Sequence, residues 1–126
     1  MKSDEISGAL GDIIGSAKQI GDVKLITRKF EDTDIEQLRN ISDAVKAEAD
    51  HIAMVFAAVN DGKVTFIASL TEDLVGAGYH AGKIIKEVAA VAGGGGGGKA
   101  NMAQAGAKDP SKVEEALAKA EEIIGR

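Results

Sequence analysis

From His51 to Asn60 the chain reads HIAMVFAAVN, with no polar residue between the two ends. Successive side chains of a strand point to opposite faces, so a strand that is apolar at every position must be covered on both sides. This one segment therefore predicts a central strand with packed layers above and below it. Asn60-Asp61-Gly62 follows as a hairpin turn in which Gly62 takes positive φ, and KVTFIASL returns with Val64, Phe66, Ala68 and Leu70 on one side.

The covering layers come from helical stripes on either side in sequence. Residues 4–18 carry Ile6, Ala9, Leu10, Ile13, Ile14 and Ala17 at helical spacing. VKLITRKF, from Val23 to Phe30, alternates and is β-branched, which fits a second strand. Thr33-Asp34-Ile35-Glu36 has the spacing of a capping box between Thr33 and Glu36, opening a helix with Ile35, Leu38, Ile41 and Val45 inward. A third helix spans 80–92 through Ala81, Ile84, Ile85, Val88 and Val91. Asp109 as cap and Pro110 in the first turn start a last helix with Val113, Ala116, Leu117, Ala120, Ile123 and Ile124 inward. The predicted order is helix, strand, helix, two hairpin-joined strands, helix, loop, helix. This is an α+β fold: a small mixed β-sheet packed against several α-helices, with a glycine-rich internal loop.

Composition removes several functional classes. At 126 residues the chain suits one domain with one core, and its 44% hydrophobic and 28% charged residues are those of a globular protein. No segment reaches the length of a membrane span, and MKSDEISGALGD carries acids where a signal peptide needs basic and apolar stretches, so a cytoplasmic protein with no membrane partner is expected. Without cysteine, only His51 and His80 remain as imidazole ligands, and no metal site is expected. His51 reads as a hydrogen-bonded structural residue at the start of a buried strand, and His80 as a helix cap. The net charge of −5 speaks against indiscriminate coating of nucleic acid. Between residues 63 and 108, however, Lys63, Lys83, Lys86, Lys99 and Lys108 outnumber Glu72, Asp73 and Glu87.

In that basic part lies VAGGGGGGKANMAQAG, Val91 to Gly106. Gly93 to Lys99 match the start of a phosphate-binding loop, G-x-x-x-x-G-K, but Ala100 stands where a Ser or Thr hydroxyl must hold Mg²⁺. Such a loop also follows a strand, whereas this run ends the helical stripe 80–92, where a left-handed cap is expected. A flexible linker is the plain alternative, yet only one further helix lies beyond the run, and that helix must bury its stripe on the same core. Two readings remain, a plain internal loop and a binding loop, and spacing alone does not separate them. Glycines let a partner approach the main chain, with backbone N–H groups as donors and Lys99 as a nearby charge. Asn101 and Gln104 are the polar candidates for nucleotide edges, Lys83 and Lys86 for phosphates, and Met102 reads as core.

DGKVTFIASLTEDL, HAGKIIKEVAAVAGG and GGGGKANMAQAGAKDPSKVEEAL resemble the C-terminal domain of alanyl-tRNA synthetases, itself similar to the DHH-associated domain of DHH-family phosphoesterases. The likeness covers about Val23 to Ile124. Lys99, Ala100 and Asn101 replace an Arg-Pro-Asp lead common in the family, and Ala107 replaces a glycine. The resemblance implies that residues 1–20 end a helical stalk and 21–126 form a globular tRNA-binding domain. It also implies a non-catalytic appendage that docks on the tRNA elbow, where D and T loops meet, coupling aminoacylation and editing in the parent ligase. On this reading Gly93, Gly94, Gly95, Gly96, Gly97, Gly98, Lys99, Asn101, Gln104, Lys83 and Lys86 face tRNA, and the fragment needs no cofactor. Alternatives implied by the same resemblance are a dimerisation module using Ile6, Leu10, Ile13 and Ile14, and the nucleic-acid-binding domain of a DHH-type phosphoesterase.

Overall fold

The computed structural model describes residue 15 and residues 17–31, 33–48 and 50–125. The apolar stripe from Ile6 to Ile14 lies outside the described residues, and with it the surface of the dimerisation reading. Six strands form one sheet: β1 (Lys18–Ile20), β2 (Val23–Glu31), β3 (Ile52–Asn60), β4 (Lys63–Leu70), β5 (Gly95–Gly98) and β6 (Met102–Ala107), in the order β1-β2-β3-β4-β6-β5. The pair β2 and β3 is parallel and the other pairs are antiparallel. A parallel pair needs a crossover, and helix α1 (Ile35–Glu48) supplies it. Helices α2 (Glu72–Gly76), α3 (Ala81–Val91) and α4 (Val113–Ile124) complete the fold, α4 being entered through a short 3₁₀ turn, Pro110–Lys112.

The apolar run is the centre of the molecule, as its pattern requires. Ala53, Val55 and Ala57 of β3 join Val64, Phe66, Ala68 and Leu70 of β4 in a core covered by α3 and α4. Ile52, Met54, Phe56 and Ala58 face the other way, with Ile67, Leu38 and Val45, beneath α1. Phe30 closes that second layer edge-on against Phe56, ring centroids 5.4 Å apart. The β3–β4 turn has both Asp61 (φ 49°) and Gly62 (φ 77°) in the left-handed region, the backbone that matches strand twist.

Four expectations are corrected. The glycine run is not a loop: Gly95–Gly98 is strand β5, and MAQAGA, unassigned in the sequence reading, is β6. A four-glycine strand carries no side-chain pattern to read, and only pairing with β6 defines it. Lys18 opens β1 instead of ending a helix. The capping box at α1 sits one residue later than expected: Asp34 Oδ1 accepts the Gln37 N–H at 2.9 Å and Gln37 Oε1 accepts the Asp34 N–H at 3.0 Å, while the Thr33 hydroxyl donates to Glu31 O. Finally His51 precedes the buried strand, is exposed, and takes φ 54°. It is hydrogen-bonded, its N–H donating to Asp73 Oδ2 at 3.1 Å and its ring meeting the same carboxylate.

Candidate nucleic-acid interface

The glycine strand is held at both ends by α3. Gly93 (φ 75°) ends the helix, with its N–H donating to Ala90 O and that of Gly94 to Ala89 O, the paired bonds of a Schellman cap. The chain then runs back along the helix as β5. At the other end, the Ala81 and Gly82 N–H groups of the helix's first turn donate to Ala100 O and Lys99 O at 2.8 and 3.2 Å. His80 caps the helix, its Nδ1 accepting the Lys83 N–H, as expected of it. A turn through Ala100 and Asn101, closed by Lys99 N–H to Met102 O at 2.9 Å, leads into β6.

β6 separates two kinds of surface. Ala103, Ala105 and Ala107 face α3 and α4 in the core, and Gln104 and Gly106 are exposed on the opposite face. That second face is the one α1 covers, yet α1 reaches over β3 and β4 and leaves β6 and β5 open. What results is a trough along β5 and β6, in three contiguous parts. Arg39, Gly97, Lys99 and Gln104 line a hollow of about 270 Å³ at one end. Ile35, Thr65, Gly95, Gln104 and Gly106 line about 390 Å³ in the middle. Lys63, Thr65, Gly95, Gly106 and Lys108 line about 670 Å³ beyond the β3–β4 turn. Four cations, Arg39, Lys63, Lys99 and Lys108, border the trough, and among the described residues no carboxylate does.

Of the residues singled out from sequence, Gly95, Gly97, Gly98, Lys99 and Gln104 meet in this trough, and Gly93 and Gly94 reach its far end. Gly96 is exposed on the same strand without lining it. Lys83 and Lys86 are exposed on α3, which packs on the other face of the sheet. Asn101 sits in the turn with its carbonyl accepting the Leu70 N–H, and its side chain does not line the trough. Met102 is half-buried against the layer beneath α1, as its core reading required. Sequence reasoning missed Arg39, Thr65, Lys63 and Lys108 as site residues. Arg39 carries no local signal at all, because what brings it here is a contact with Gln104 across 65 positions of chain.

A second cavity of about 580 Å³ lies at the other end of β3, between Lys46, Asp50, His51, Glu72 and Asp73. Asp73 is the perturbed group there. The Thr71 hydrogen bond holds its carboxyl below the ordinary carboxylate range, with its own backbone N–H and His51 adding in the same direction against the opposing effect of burial. Thr71 Oγ1 also accepts the Ile52 N–H at 3.2 Å, so these groups tie the start of β3 to the end of β4. Among the described residues no cluster of three or more His, Asp or Glu side chains is arranged to hold a metal ion. No described helix is long and apolar enough to cross a membrane.

A sheet flanked by helices, with a glycine strand at its edge beside a cation-lined trough, defines a class. The chain belongs to the DHHA1 domain family, whose profile it matches over residues 22–126. Within that class it is similar to the C-terminal part of alanyl-tRNA synthetases. It is 44% identical over 124 residues to the alanine–tRNA ligase of Acetivibrio thermocellus, covering 98% of this chain and 14% of that protein. To the alanine–tRNA ligase of Bacillus cytotoxicus it is 44% identical over 114 residues, covering 90% and 13%. The chain thus spans about one-seventh of the length of these relatives, at 14% and 13%. The crystal structure of the C-Ala domain from Aquifex aeolicus alanyl-tRNA synthetase superposes with a TM-score of 0.82 at 31% identity, covering 88% of this chain and 99% of that one. RecJ from Thermus thermophilus shares the fold alone, at a TM-score of 0.65 and 13% identity, over 94% of this chain and 17% of that one.

Proposed function

We propose that this domain is a non-catalytic tRNA-binding appendage of an alanine–tRNA ligase in the cytoplasm. It docks on the elbow of tRNA-Ala and thereby helps deliver the acceptor end to aminoacylation and editing sites carried by other domains of the parent enzyme. It needs no cofactor for this. The observation that carries the reading is the trough itself: four cations around a floor with few side chains, on a chain whose net charge is −5. Folded RNA is recognised through phosphates, 2′-hydroxyls and exposed bases, because its deep groove excludes side chains, and an open shallow trough matches that kind of target. That the aligned relatives are named alanine–tRNA ligases supports tRNA-Ala as the RNA.

The test is a binding titration of the chain with intact tRNA-Ala and with a hairpin containing only the acceptor stem. Clear preference for the intact tRNA is expected. Equal affinity for the two would remove the elbow from the proposal, and no binding to either would remove the RNA.

A further inference from the structure

Helix α3 starts on a cap that works in one charge state. His80 is extended, at φ −142° and ψ 112°, and its Nδ1 accepts the Lys83 N–H at 3.3 Å. The oxygens of Ser, Thr and Asn, which are the usual caps, accept at neutral and mildly acidic pH alike. An imidazole accepts through Nδ1 only while it is neutral with its proton on Nε2, and imidazolium donates from both nitrogens and accepts at neither. Histidine is also the side chain whose change of charge falls between about pH 5 and 8. His80 is half-buried, so its ring exchanges protons with solvent.

The same helical turn holds the main chain that carries Lys99. The N–H groups of Ala81 and Gly82 donate to Ala100 O and Lys99 O. A Cβ on Gly82 would stand 2.8 Å from both His80 Cε1 and Gly98 O, and 3.1 Å from His80 Nδ1. The imidazole, the first turn of α3 and the chain just before Lys99 therefore meet at one point, where only glycine leaves room. Of the charged side chains on these segments, Lys83 and Lys99 come first, with Lys86 and Glu87 a turn further along α3. On the α2 side stand Tyr79 and, across the cavity it lines, His51 paired with Asp73. Protonation of His80 strips the Lys83 N–H of its acceptor and adds a cation at a helix N-terminus, where the macrodipole is already positive.

We propose that His80 is a pH-sensitive latch on the RNA site: neutral, it caps α3 and keeps Lys99 at the rim of the trough, and protonated, it frays the first helical turn and frees Lys99. This rests on the RNA-binding reading and adds the regulation of that site. Two bonds of the turn do not depend on the cap, Lys99 N–H to Met102 O and Leu70 N–H to Asn101 O. The sheet therefore keeps its strands while the lysine loses its fixed position. tRNA is held more tightly at neutral than at mildly acidic pH.

The experiment measures tRNA affinity between about pH 5.5 and 8 for the unaltered chain, His80→Asn, His80→Ala and His51→Asn, with hydrogen exchange of the Lys83 amide in each. On acidification the unaltered chain should lose roughly threefold to tenfold in affinity, the scale of a lost cap, and its Lys83 amide should lose protection. His80→Asn keeps an acceptor throughout and should show neither change. His80→Ala should bind at high pH as weakly as the unaltered chain does at low pH. His51→Asn, in which asparagine tolerates the left-handed backbone of that position, should keep the full response. A response that survives in His80→Asn or vanishes in His51→Asn overturns the latch. So does tighter binding at low pH, because the imidazolium would then be meeting phosphate as a charge. Affinity and amide protection that are both constant across pH overturn the latch and leave RNA binding intact, whereas an unaltered chain that binds no tRNA at any pH removes the RNA-binding reading itself.

Discussion

Arg39 Nη2 donates to Gln104 Oε1 at 3.3 Å, joining the exposed side of α1 to the exposed side of β6 at the head of the trough. The bond holds the guanidinium over the sheet margin with most of its donors unspent. Arg39→Ala is expected to weaken tRNA binding and flatten its salt dependence by roughly 0.7 to 0.9. Gln104→Ala should weaken binding with the salt slope unchanged, and a double-mutant cycle should show the two coupled. Salt titrations of the four proteins measure this; a flat response to Arg39→Ala would detach the arginine from the site.

Crowding at Gly96 carries a stability prediction. With Gln104 O and the Ala105 Cβ 2.5 Å from the added carbon, Gly96→Ala must push β5 off β6, a form of overpacking that costs about 1–3 kcal/mol. Denaturant unfolding should show that loss, and the same substitution at Gly97 should show none. Equal effects at the two positions would mean that the strand shifts freely on its neighbour.

At the start of α1 the side chain that matters is Asp34. Because its carboxylate takes the Gln37 N–H while Gln37 returns the bond, Asp34→Ala should cost about 1 kcal/mol. Thr33→Ala, which removes only a bond to Glu31 O, should cost clearly less. Chemical denaturation of both variants decides whether the box has been placed on the right residue.

Asp73 should give the fold an acid-sensitive component. Its pKa is lowered in the folded protein, chiefly by the Thr71 hydrogen bond, from an ordinary value of 3.8. A depressed carboxylate stabilises the fold above the unfolded value, and that contribution is lost as pH falls through the folded one. Asp73→Asn is therefore expected to lower the melting temperature near neutrality, with the gap to the unaltered chain closing as pH drops below 3.8. A gap independent of pH would assign the effect to packing instead of charge.

The sequence by itself determined the layers. A run apolar at every position from Ile52 to Val59 has no stable place except the middle of a covered sheet, and Val64, Phe66, Ala68 and Leu70 fell on the face their alternation assigned. The left-handed cap at Gly93, the His80 cap and the Asp109-Pro110 helix entry were also legible, since each is a local contest between a side chain and nearby backbone groups. Tertiary structure decided what the glycines are. Six consecutive glycines give no periodicity, so strand, loop and linker read alike until β6 provides a ladder, and β6 itself is rich in alanine and glycine, so its alternation shows only against the α3 core. The trough depended on tertiary structure for the same reason. Lys99 and Gln104 could be named because they adjoin the run, but Arg39, Lys63 and Lys108 reach it only when β6 inserts between β4 and β5 and α1 crosses the sheet. Local patterns encode which face of an element is buried, whereas a surface built from distant segments is encoded in the order of the strands.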